Sequence, residues 1–245
     1  MNSISANLNV MIKTAEKASK VLIRDFGEVE KLQVSQKGPS DFVTNTDKKA
    51  EKIIIEELSK SRKKYSIISE EAGKIIKSDT ENVWIIDPID GTTNFLHGVP
   101  HFAISIALKS KKEIVAGLIF DPIKNEMFYA EKNNGAYFNN QRIRVSKKKN
   151  LEECLFATGG KEFKINLNTR KLGSAALDMA YVAAGRFDGC FQDNLNIWDI
   201  AAGIILVEES GGKINEINYD TVSKLKIIAS SNSIYEKMSE KLDNF

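Results

Sequence analysis

Apolar residues recur every three to four positions near the start of the chain, and this spacing predicts an amphipathic helix from about Leu8 to Phe26. A second helical pattern follows Asp47. Three apolar runs joined by short polar connections then predict an antiparallel meander between residues 102 and 130. The apolar run Val83–Ile86 predicts a strand, and the polar stretch Lys74–Glu81 before it is expected to form a surface loop.

The second half of the chain predicts a similar mixture with more apolar helices. Its elements are a strand at 154–158, a helix opening at Gly173-Ser174, a strand at 187–191, an apolar helix after Asn196, a strand at 225–229 and a last amphipathic helix. The pattern alone therefore predicts mixed α and β structure. We place a boundary between two lobes near residue 140, which gives lobes of residues 1–140 and 141–245.

Composition excludes several classes of protein. The 245 residues, 42% hydrophobic and 28% charged, suit one large globular domain or two small lobes. The net charge of +2 provides no strong basic field, so nucleic acid is not expected as a partner. Cys154 and Cys190 lie far apart without a CxxC motif, which fits a reducing compartment. Without a signal-peptide pattern or an apolar run long enough for a membrane span, we expect a cytoplasmic protein.

The segment 84–95 carries the strongest chemical signal. Its apolar run ends in Asp87, and Asp90 follows three residues later with Pro88 between them. Because proline fixes its own φ, a turn here can direct both carboxylates and the Ile89 carbonyl at one point, which suits a hard cation such as Mg²⁺. In the alternative interpretation, Asp87 ends a strand and Asp90 caps a helix, as aspartates at turns commonly do.

The residues after this turn read as the start of a helix. Gly91 lets the backbone approach a ligand closely, and the free N–H groups of the first turn, at Thr92 and Thr93, can hold a phosphate. Two histidines follow, His97 and His101. No further ligand lies nearby at zinc-site spacing, so we assign both histidines structural roles.

Four other acidic residues are candidates, and each has an ordinary structural explanation. Asp47 falls in the first turn of its predicted helix, where the helix dipole favours an acid, and local sequence alone favours that explanation. Glu70 and Glu71 follow a predicted strand, where adjacent like charges usually form a solvated loop. Asp199 also begins a helix, so the dipole explains it equally well.

Two further segments could contact an anion. Gly173-Ser174 at a helix start offers free N–H groups, although a plain N-cap by Ser174 explains it as well. Lys147, Lys148 and Lys149 form a basic run, which is ordinarily a solvated loop but could also steer phosphate esters.

These segments together resemble the signatures of the inositol monophosphatase family. The similarity rests on the run Asp41–Asp47, the pair Glu70-Glu71, the segment 84–95 and the run Trp198–Gly203. The run Leu96–Phe102 is most similar to the bacterial extragenic-suppressor branch. The resemblance implies an α+β fold with α-β-α-β-α layers, the sugar-phosphatase fold, with the active site between two lobes. It also implies a homodimer.

The resemblance further implies a role for each candidate. Two or three Mg²⁺ ions, or Mn²⁺ as an alternative, would be held by Glu70, Asp87, the Ile89 carbonyl, Asp90 and Asp199. Thr92 and Asp47 would activate the attacking water, and Glu71 would hold the hydrogen bonds of the site in order. The phosphate and substrate contacts would be Gly91, Thr92, Thr93, Gly173, Ser174 and Gln192. Li⁺ would inhibit by occupying a metal position.

Electrostatics supports cation binding if these carboxylates converge. Two like charges about 4 Å apart repel by on the order of 4 kcal/mol at an effective dielectric constant near 20. Four such groups therefore cannot all stay ionised without cations, and all-oxygen ligands select Mg²⁺ or Mn²⁺ over zinc.

The implied activity is hydrolysis of a sugar or polyol phosphate monoester, with myo-inositol 1-phosphate as first choice. The alternatives are fructose 1,6-bisphosphate, a nucleotide 3′,5′-bisphosphate and histidinol phosphate, or a binding protein associated with RNA polymerase and ribosomal RNA transcription. Two departures bear on the substrate. The connection Gly159–Arg170 is shorter than in most of the family, and Gln192 stands where many members have a glutamate that bonds substrate hydroxyls.

Overall fold

The computed structural model describes residues 4–28, 34–38, 41–160 and 167–242. The helices in these ranges are α1 (Ala6–Phe26), α2 (Asn45–Ser61), α3 (Thr92–Leu96), α4 (Ala175–Ala183), α5 (Ile197–Glu209) and α6 (Tyr235–Lys241). The strands are β1 (Val34–Gly38), β2 (Asp41–Thr44), β3 (Tyr65–Ser69), β4 (Gly73–Ile75), β5 (Asp79–Asp90), β6 (Ala103–Ser110), β7 (Glu113–Asp121), β8 (Glu126–Glu131), β9 (Gly135–Phe138), β10 (Gln141–Arg142), β11 (Leu155–Gly159), β12 (Asn168–Arg170), β13 (Gly189–Leu195), β14 (Gly212–Ile214) and β15 (Leu225–Ser231).

The first helix confirms the spacing-based prediction. Ser5 caps α1 by accepting a hydrogen bond from the backbone N–H of Leu8 at 3.2 Å. The apolar stripe of α1 is buried and packs against α2, whose own stripe includes Ile54 and Leu58. None of the helices in the described ranges combines the length and the apolar character that a membrane crossing requires.

Two sheets organise the rest of the chain. The larger sheet has the order β10-β9-β8-β7-β6-β5-β3-β4, and its strands from β5 to β8 pair antiparallel, which confirms the predicted meander. The smaller sheet has the order β12-β11-β13-β15-β14, with β12, β11 and β13 parallel. A separate pair, β1 and β2, is antiparallel.

The helices and the two main sheets form five alternating layers. One face of the larger sheet packs against α1 and α2, and its other face shares a core with α4, α5 and the smaller sheet. The far face of the smaller sheet is covered by α6, where Phe156, Phe191 and Met238 are fully buried. This order confirms the α-β-α-β-α prediction. Because α4 and α5 contact both sheets, the boundary between lobes near residue 140 stays a prediction.

Two predictions about the larger sheet were wrong. The stretch Lys74–Glu81 is not simply a surface loop, because β4 lies in it and β5 already begins at Asp79. The Asp87–Asp90 turn is instead an irregular continuation of β5. Asp87 pairs with Ser105 and Asp90 with Ala103, so three steps along β5 oppose two along β6, as in a β-bulge. Proline is tolerated at a bulge because no ladder bond is needed there.

Candidate active site

The bulge in β5 delivers the first two carboxylates to the site. Residues three apart on a regular strand point to opposite faces, and an extra residue removes this separation. The backbone N–H of Ile89 donates to Asp87 Oδ1 at 2.9 Å, inside the bulge. Local backbone geometry therefore orients Asp87 at the place where Asp90 also emerges.

Asp90 is held from the other side by the start of α4. Its Oδ2 accepts hydrogen bonds from the Ser174 hydroxyl and, at 2.8 Å, from the backbone N–H of Ala176. The Ser174 hydroxyl also accepts from the N–H of Leu177 at 3.2 Å, which confirms the N-cap interpretation of this serine. One side chain thus starts the helix and fixes a carboxylate of the larger sheet.

Asp199 supplies the third carboxylate from the first turn of α5. Its Oδ2 accepts from the backbone N–H of Asn196 at 2.7 Å, so it is the N3 member of a capping box in the first turn, where the sequence predicted only a partner of the helix dipole. One carboxylate oxygen from each of Asp87, Asp90 and Asp199 lies within 4.8 Å of the others. The helix-capping explanation and the metal-ligand explanation are compatible for this residue.

Burial and mutual repulsion disfavour charge on all three groups. Asp87 is 2% exposed and Asp90 is 8% exposed. Burial, followed by the charges of Glu70, Asp90 and Asp199, raises the pKa of Asp87 well above its usual range. Burial raises the pKa of Asp90 to about 6, against the hydrogen bonds that lower it. Burial and the charge of Asp90 also raise the pKa of Asp199.

The donor set fits a hard divalent cation. Within the described residues, none of the ion pairs joins a lysine, arginine or histidine to Asp87, Asp90 or Asp199. A cation bound between the carboxylates would remove the repulsion that raises their pKa values. Carboxylate oxygens without nitrogen or sulfur ligands favour Mg²⁺ or Mn²⁺ over zinc.

Glu70 follows β3, in a turn that a residue of α2 organises. Glu51 is 5% exposed, and its Oε1 accepts from the Ser69 hydroxyl and from the backbone N–H groups of Glu71 and Ala72, the latter two at 2.9 and 3.1 Å. The turn is therefore pinned to the protein rather than a free solvated loop. This turn places Glu70 close enough for its charge to raise the pKa of Asp87.

A threonine and an aspartate meet beside this cluster. Asp47 is fully buried in the first turn of α2, and its Oδ1 lies 3.2 Å from the Thr92 hydroxyl oxygen. The same hydroxyl lies 3.0 Å from the carbonyl oxygen of Ile89. Because the hydroxyl has a single proton, it donates to one of these acceptors at a time. The Ile89 carbonyl oxygen therefore lies against the Thr92 hydroxyl, in a residue that lines the cleft.

The backbone at Gly91 requires a glycine. Its φ is +97°, and a Cβ there would lie 3.1 Å from the carbonyl oxygen of His101 and 3.2 Å from that of Gly173. Nearby, the Asn94 side-chain amide donates to the carbonyl oxygens of His101 and Leu172, both at 2.8 Å. These contacts join α3 tightly to the segment that precedes α4.

A cleft of about 350 Å³ opens over these groups. Its lining residues are Glu70, Asp87, Ile89, Asp90, Gly91, Thr92, Thr158, Gly159, Gly160, Lys171, Gly173, Ala175, Gln192, Leu195, Asn196 and Asp199. We call Glu70 with residues 87–92 the acidic wall, and residues 158–160 with Gln192 the amide wall. The acidic wall comes from the larger sheet and the amide wall from the smaller one.

The structure brings most predicted site residues to this cleft, but four do not line it. Asp47 lies behind Thr92, and Ser174 lies behind Asp90. Thr93 is exposed outside the cleft, and Glu71 contributes its backbone N–H to the turn that Glu51 holds. Direct substrate or phosphate contacts by Ser174 and Thr93 stay predictions, as does the role of the Glu71 carboxylate.

Sequence reasoning missed several residues of the site. Glu51 stands four residues after Asp47, so one helix face presents both acids, and that spacing was a usable signal. Thr158 and Lys171 line the cleft, and buried Asp178 supports Gln192, but none of them belongs to a recognisable motif. Most of the shortened connection Gly159–Arg170 lies outside the described residues.

The remaining polar candidates have structural contacts. The His97 Nδ1 atom lies 2.8 Å from the Thr93 carbonyl oxygen, and burial, with Lys124 nearby, lowers the pKa of His101 to about 4. Neither histidine lines the cleft. In the basic run, the Lys148 Nζ atom donates to Asp188 at 3.0 Å, inside the protein's own network.

The family model and the sequence relatives that match this chain belong to one group of proteins. The sequence model of the inositol monophosphatase family matches residues 5–244. The chain is 45% identical to an inositol-1-monophosphatase of Caulobacter vibrioides, over 95% of this chain and 99% of that protein. It is 41% identical to Nus factor SuhB of Escherichia coli K12, over 85% of this chain and 84% of that protein.

A solved structure is equally similar. The extragenic suppressor protein suhB from Bartonella henselae superposes with a TM-score of 0.92 at 47% sequence identity. The superposition covers 97% of this chain and 98% of that chain. The similarity in fold therefore includes both sheets and the helices between them.

Proposed function

The chain belongs to the inositol monophosphatase family, and from this premise we propose that it hydrolyses phosphate monoesters of sugars or polyols in a Mg²⁺-dependent reaction. Like its relatives it is a phosphoric monoester hydrolase. We place myo-inositol 1-phosphate first among the substrates, because three relatives at 45–48% identity are named inositol-1-monophosphatase.

One observation carries the proposal. Three carboxylates, of which Asp87 and Asp90 are buried and Asp199 is half-buried, offer oxygens within 4.8 Å of one another on the same cleft as a threonine hydroxyl that contacts a buried aspartate. A cation site beside a polar group able to orient water is what metal-assisted hydrolysis requires. Simple structural roles do not explain why Asp87, Asp90 and Asp199 converge without a cationic partner among the described residues.

The proposed ligands for two or three Mg²⁺ ions, with Mn²⁺ as the alternative, are Glu70, Asp87, the Ile89 carbonyl, Asp90 and Asp199. Bound Mg²⁺ would supply positive charge to the phosphate oxygens and to the oxygen of the leaving alcohol. The protein's part is to keep the ligands fixed, through Ser174 on Asp90, Asn196 on Asp199 and Glu51 on the turn of Glu70.

Thr92 and Asp47 orient the water in this proposal. While the Thr92 hydroxyl donates to Asp47, its lone pairs can accept a proton of a water molecule in the cleft. The oxygen of that water then faces the phosphorus. As the water attacks, its proton passes to the Thr92 oxygen while the Thr92 hydroxyl proton passes to Asp47, so the hydroxyl is regenerated and Asp47 holds the proton. The N–H groups of Gly91, Thr92 and Thr93 would contact the phosphate, and Gly173, Ser174 and Gln192 would lie on the substrate side.

A substrate panel tests the proposal. Phosphate release is measured at saturating Mg²⁺ with myo-inositol 1-phosphate, fructose 1,6-bisphosphate, a nucleotide 3′,5′-bisphosphate and histidinol phosphate. The proposal expects the largest kcat/KM for myo-inositol 1-phosphate and loss of turnover in Asp90→Asn. A larger kcat/KM for another ester would make that ester the preferred substrate. No turnover of any ester would reject the proposed phosphatase function.

A second role rests on the relative named Nus factor SuhB, which shares 41% of its aligned residues with this chain. We propose association with the transcription machinery, RNA polymerase included, as an activity separate from hydrolysis. Capture of polymerase components from a lysate by immobilised Asp90→Asn protein, at the level of the parent, would support it. Capture that disappears in the catalytically impaired protein would argue against a separate role.

Further expectations concern assembly and inhibition. We propose that the protein is a cytoplasmic homodimer and that Li⁺ inhibits it by competing for one metal position. Light scattering on the purified protein measures the assembly. Inhibition by Li⁺ that weakens as Mg²⁺ is raised would support the shared position, and inhibition independent of Mg²⁺ would contradict it.

A further inference from the structure

A buried pair of polar side chains joins the amide wall to α4 behind it. Asp178, in the first turn of α4, is 1% exposed, and Gln192 on β13 is 5% exposed. The amide nitrogen of Gln192 donates to Asp178 Oδ2 at 2.6 Å. The other oxygen of Asp178 has no hydrogen-bond partner within the described residues. The pair is thus a short, directional contact rather than part of a larger network.

Its polarity determines how the amide is turned. Burial and the charge of Asp90 raise the pKa of Asp178 well above its usual range, and the hydrogen bond from Gln192 opposes this rise. The Gln192 amide presents its NH₂ end to an Asp178 oxygen, which in the ionised form only accepts. The carbonyl oxygen must then point away from Asp178. An ideal Cβ on Gly159 would lie 2.4 Å from this Oε1 atom, so the carbonyl lies against the backbone of Gly159 on the cleft. The absence of a side chain at residue 159 leaves room for it.

The other polar groups in and beside the amide wall suit a hydroxylated ligand. Thr158 lines the cleft, and its hydroxyl oxygen is buried beside it without a partner within the described residues. Asp193 lies beside Gly160, where a Cβ would come within 2.1 Å of its Oδ1 atom. Lys171 is the lysine that lines the cleft, and it donates to the Gly160 carbonyl oxygen at 2.9 Å. Acceptor oxygens and carboxylates therefore predominate over free positive charge.

We propose that Asp178 is a positioning residue that turns the Gln192 amide so that its carbonyl oxygen accepts a hydrogen bond from a hydroxyl of the substrate's sugar or polyol group. This inference rests on the proposed function and specifies the chemistry of the substrate at the amide wall. The wall favours a hydroxyl donor and disfavours a second phosphate, which carries acceptors and negative charge. Such a contact discriminates strongly against analogues that cannot donate.

The test compares two substrates across three single variants. myo-Inositol 1-phosphate offers hydroxyls to the amide wall, and p-nitrophenyl phosphate offers none. In Asp178→Asn the amide is no longer held in one orientation, because asparagine can donate as well as accept. Gly159→Ala pushes the Gln192 carbonyl aside at a residue without positive φ. Gln192→Leu removes the acceptor.

The expected result is a change in the ratio of the two substrates. Each variant should lower kcat/KM for the inositol ester by on the order of five- to tenfold, mainly through KM, as for loss of one hydrogen bond. Turnover of p-nitrophenyl phosphate should stay within about twofold. Asp178→Asn combined with Gln192→Leu should be no worse than Gln192→Leu alone, because both changes remove the same contact.

A control and the contrary outcomes complete the design. Asp188→Asn changes another buried aspartate, one that contacts Lys148 and Leu155 instead of the cleft, and should leave the substrate ratio unchanged. Equal losses on both esters in Asp178→Asn would assign this residue to general stability and overturn the inference. If the parent hydrolyses both esters and the ratio of their kcat/KM values is unchanged in every variant, the inference about Asp178 is overturned and the proposed function stands. A parent that hydrolyses neither ester would overturn both it and the proposed function.

Discussion

The acidic wall and the amide wall of the cleft differ in what their polar groups still lack. On the acidic wall, Asp87, Asp90 and Thr92 each contact a hydrogen-bond partner supplied by the chain, so their positions are set. What this wall lacks is positive charge. On the amide wall, Thr158 and the Asp178 behind it keep polar atoms without partners in the described part of the chain.

This difference separates two tasks. A fixed group of carboxylates suits the part of the reaction that every phosphate ester shares, because rigid ligands determine where a cation binds. Polar groups that the chain leaves unpaired suit recognition of the part that differs between esters. A substrate that pairs with such a group binds more tightly than one that cannot. Changes on the acidic wall should therefore alter kcat or metal affinity, and changes on the amide wall should alter substrate preference.

The largest effect is expected at Asp90. Asp90→Asn should lower phosphate release by on the order of 10³-fold, since it removes the charge of a proposed Mg²⁺ ligand. In EDTA the same variant should have a higher Tm than the parent by a few degrees, because it removes a buried charge that repels Asp87 and Asp199 while its side-chain oxygen still accepts from Ser174. Calorimetry without metal measures this. A Tm below that of the parent would show that Asp90 is not under electrostatic strain.

Thr92→Val should have the next largest effect. Loss of the hydroxyl removes the group that we propose links Asp47 to the attacking water, so kcat should fall by on the order of 10²-fold. Mg²⁺ affinity, measured by calorimetric titration, should stay close to that of the parent. Thr92→Ser keeps the hydroxyl and serves as the matched control. Equal loss in both variants would assign Thr92 a packing role.

The hydrogen bonds from the turn of Glu70 to Glu51 should affect Mg²⁺ binding. Glu51→Ala leaves the turn of Glu70 without its acceptor, and Mg²⁺ affinity should fall by roughly tenfold or more. Glu51→Gln retains an acceptor oxygen and should restore most of that affinity. Glu57→Ala is the control, since Glu57 lies on the same helix but bonds Lys17 and Lys60 at the surface. Unchanged affinity in Glu51→Ala would contradict the proposed support.

The smallest effect concerns stability outside both walls. The pKa of His101 is lowered to about 4, mainly by burial, so the unfolded chain binds a proton more readily than the folded one. Its contribution is therefore fully present above pH 6.5 and is lost as the pH falls toward 4. Between pH 7 and pH 4 the Tm of the parent should fall more than that of His101→Phe, by about 2–4 °C. His97→Phe, at an exposed histidine, should follow the parent.

Local sequence predicted the acidic wall better than the amide wall, for a physical reason. Asp87, Asp90 and Gly91 lie within five residues, so short-range geometry nearly determines how they converge. The bulge was not predicted, because it depends on the register between β5 and β6 and not on the Asp-Pro pair alone. Helix periodicity predicted α1 and the first-turn position of Asp47 because both depend on nearby residues.

Contacts between distant segments were not predictable in this way. Asp90 is fixed by Ser174, 84 residues later, and Asp178 contacts Gln192 on the next strand of the smaller sheet. Glu51 was missed because its partners follow another strand, although its spacing from Asp47 placed both on one helix face. The packing of α4 between the two sheets reveals the contacts of Ser174 and Asp178, and the packing of α2 on the outer face of the larger sheet reveals that of Glu51.

The central claim is that the convergent carboxylates create a divalent-cation site that is required for phosphate ester hydrolysis. The most direct test is the rate of phosphate release from myo-inositol 1-phosphate as Mg²⁺ is titrated into EDTA-treated protein. The account predicts no release before Mg²⁺ is added, followed by a saturable rise. A rate that persists in EDTA, or that stays at zero at every Mg²⁺ concentration while the protein remains folded, would contradict it.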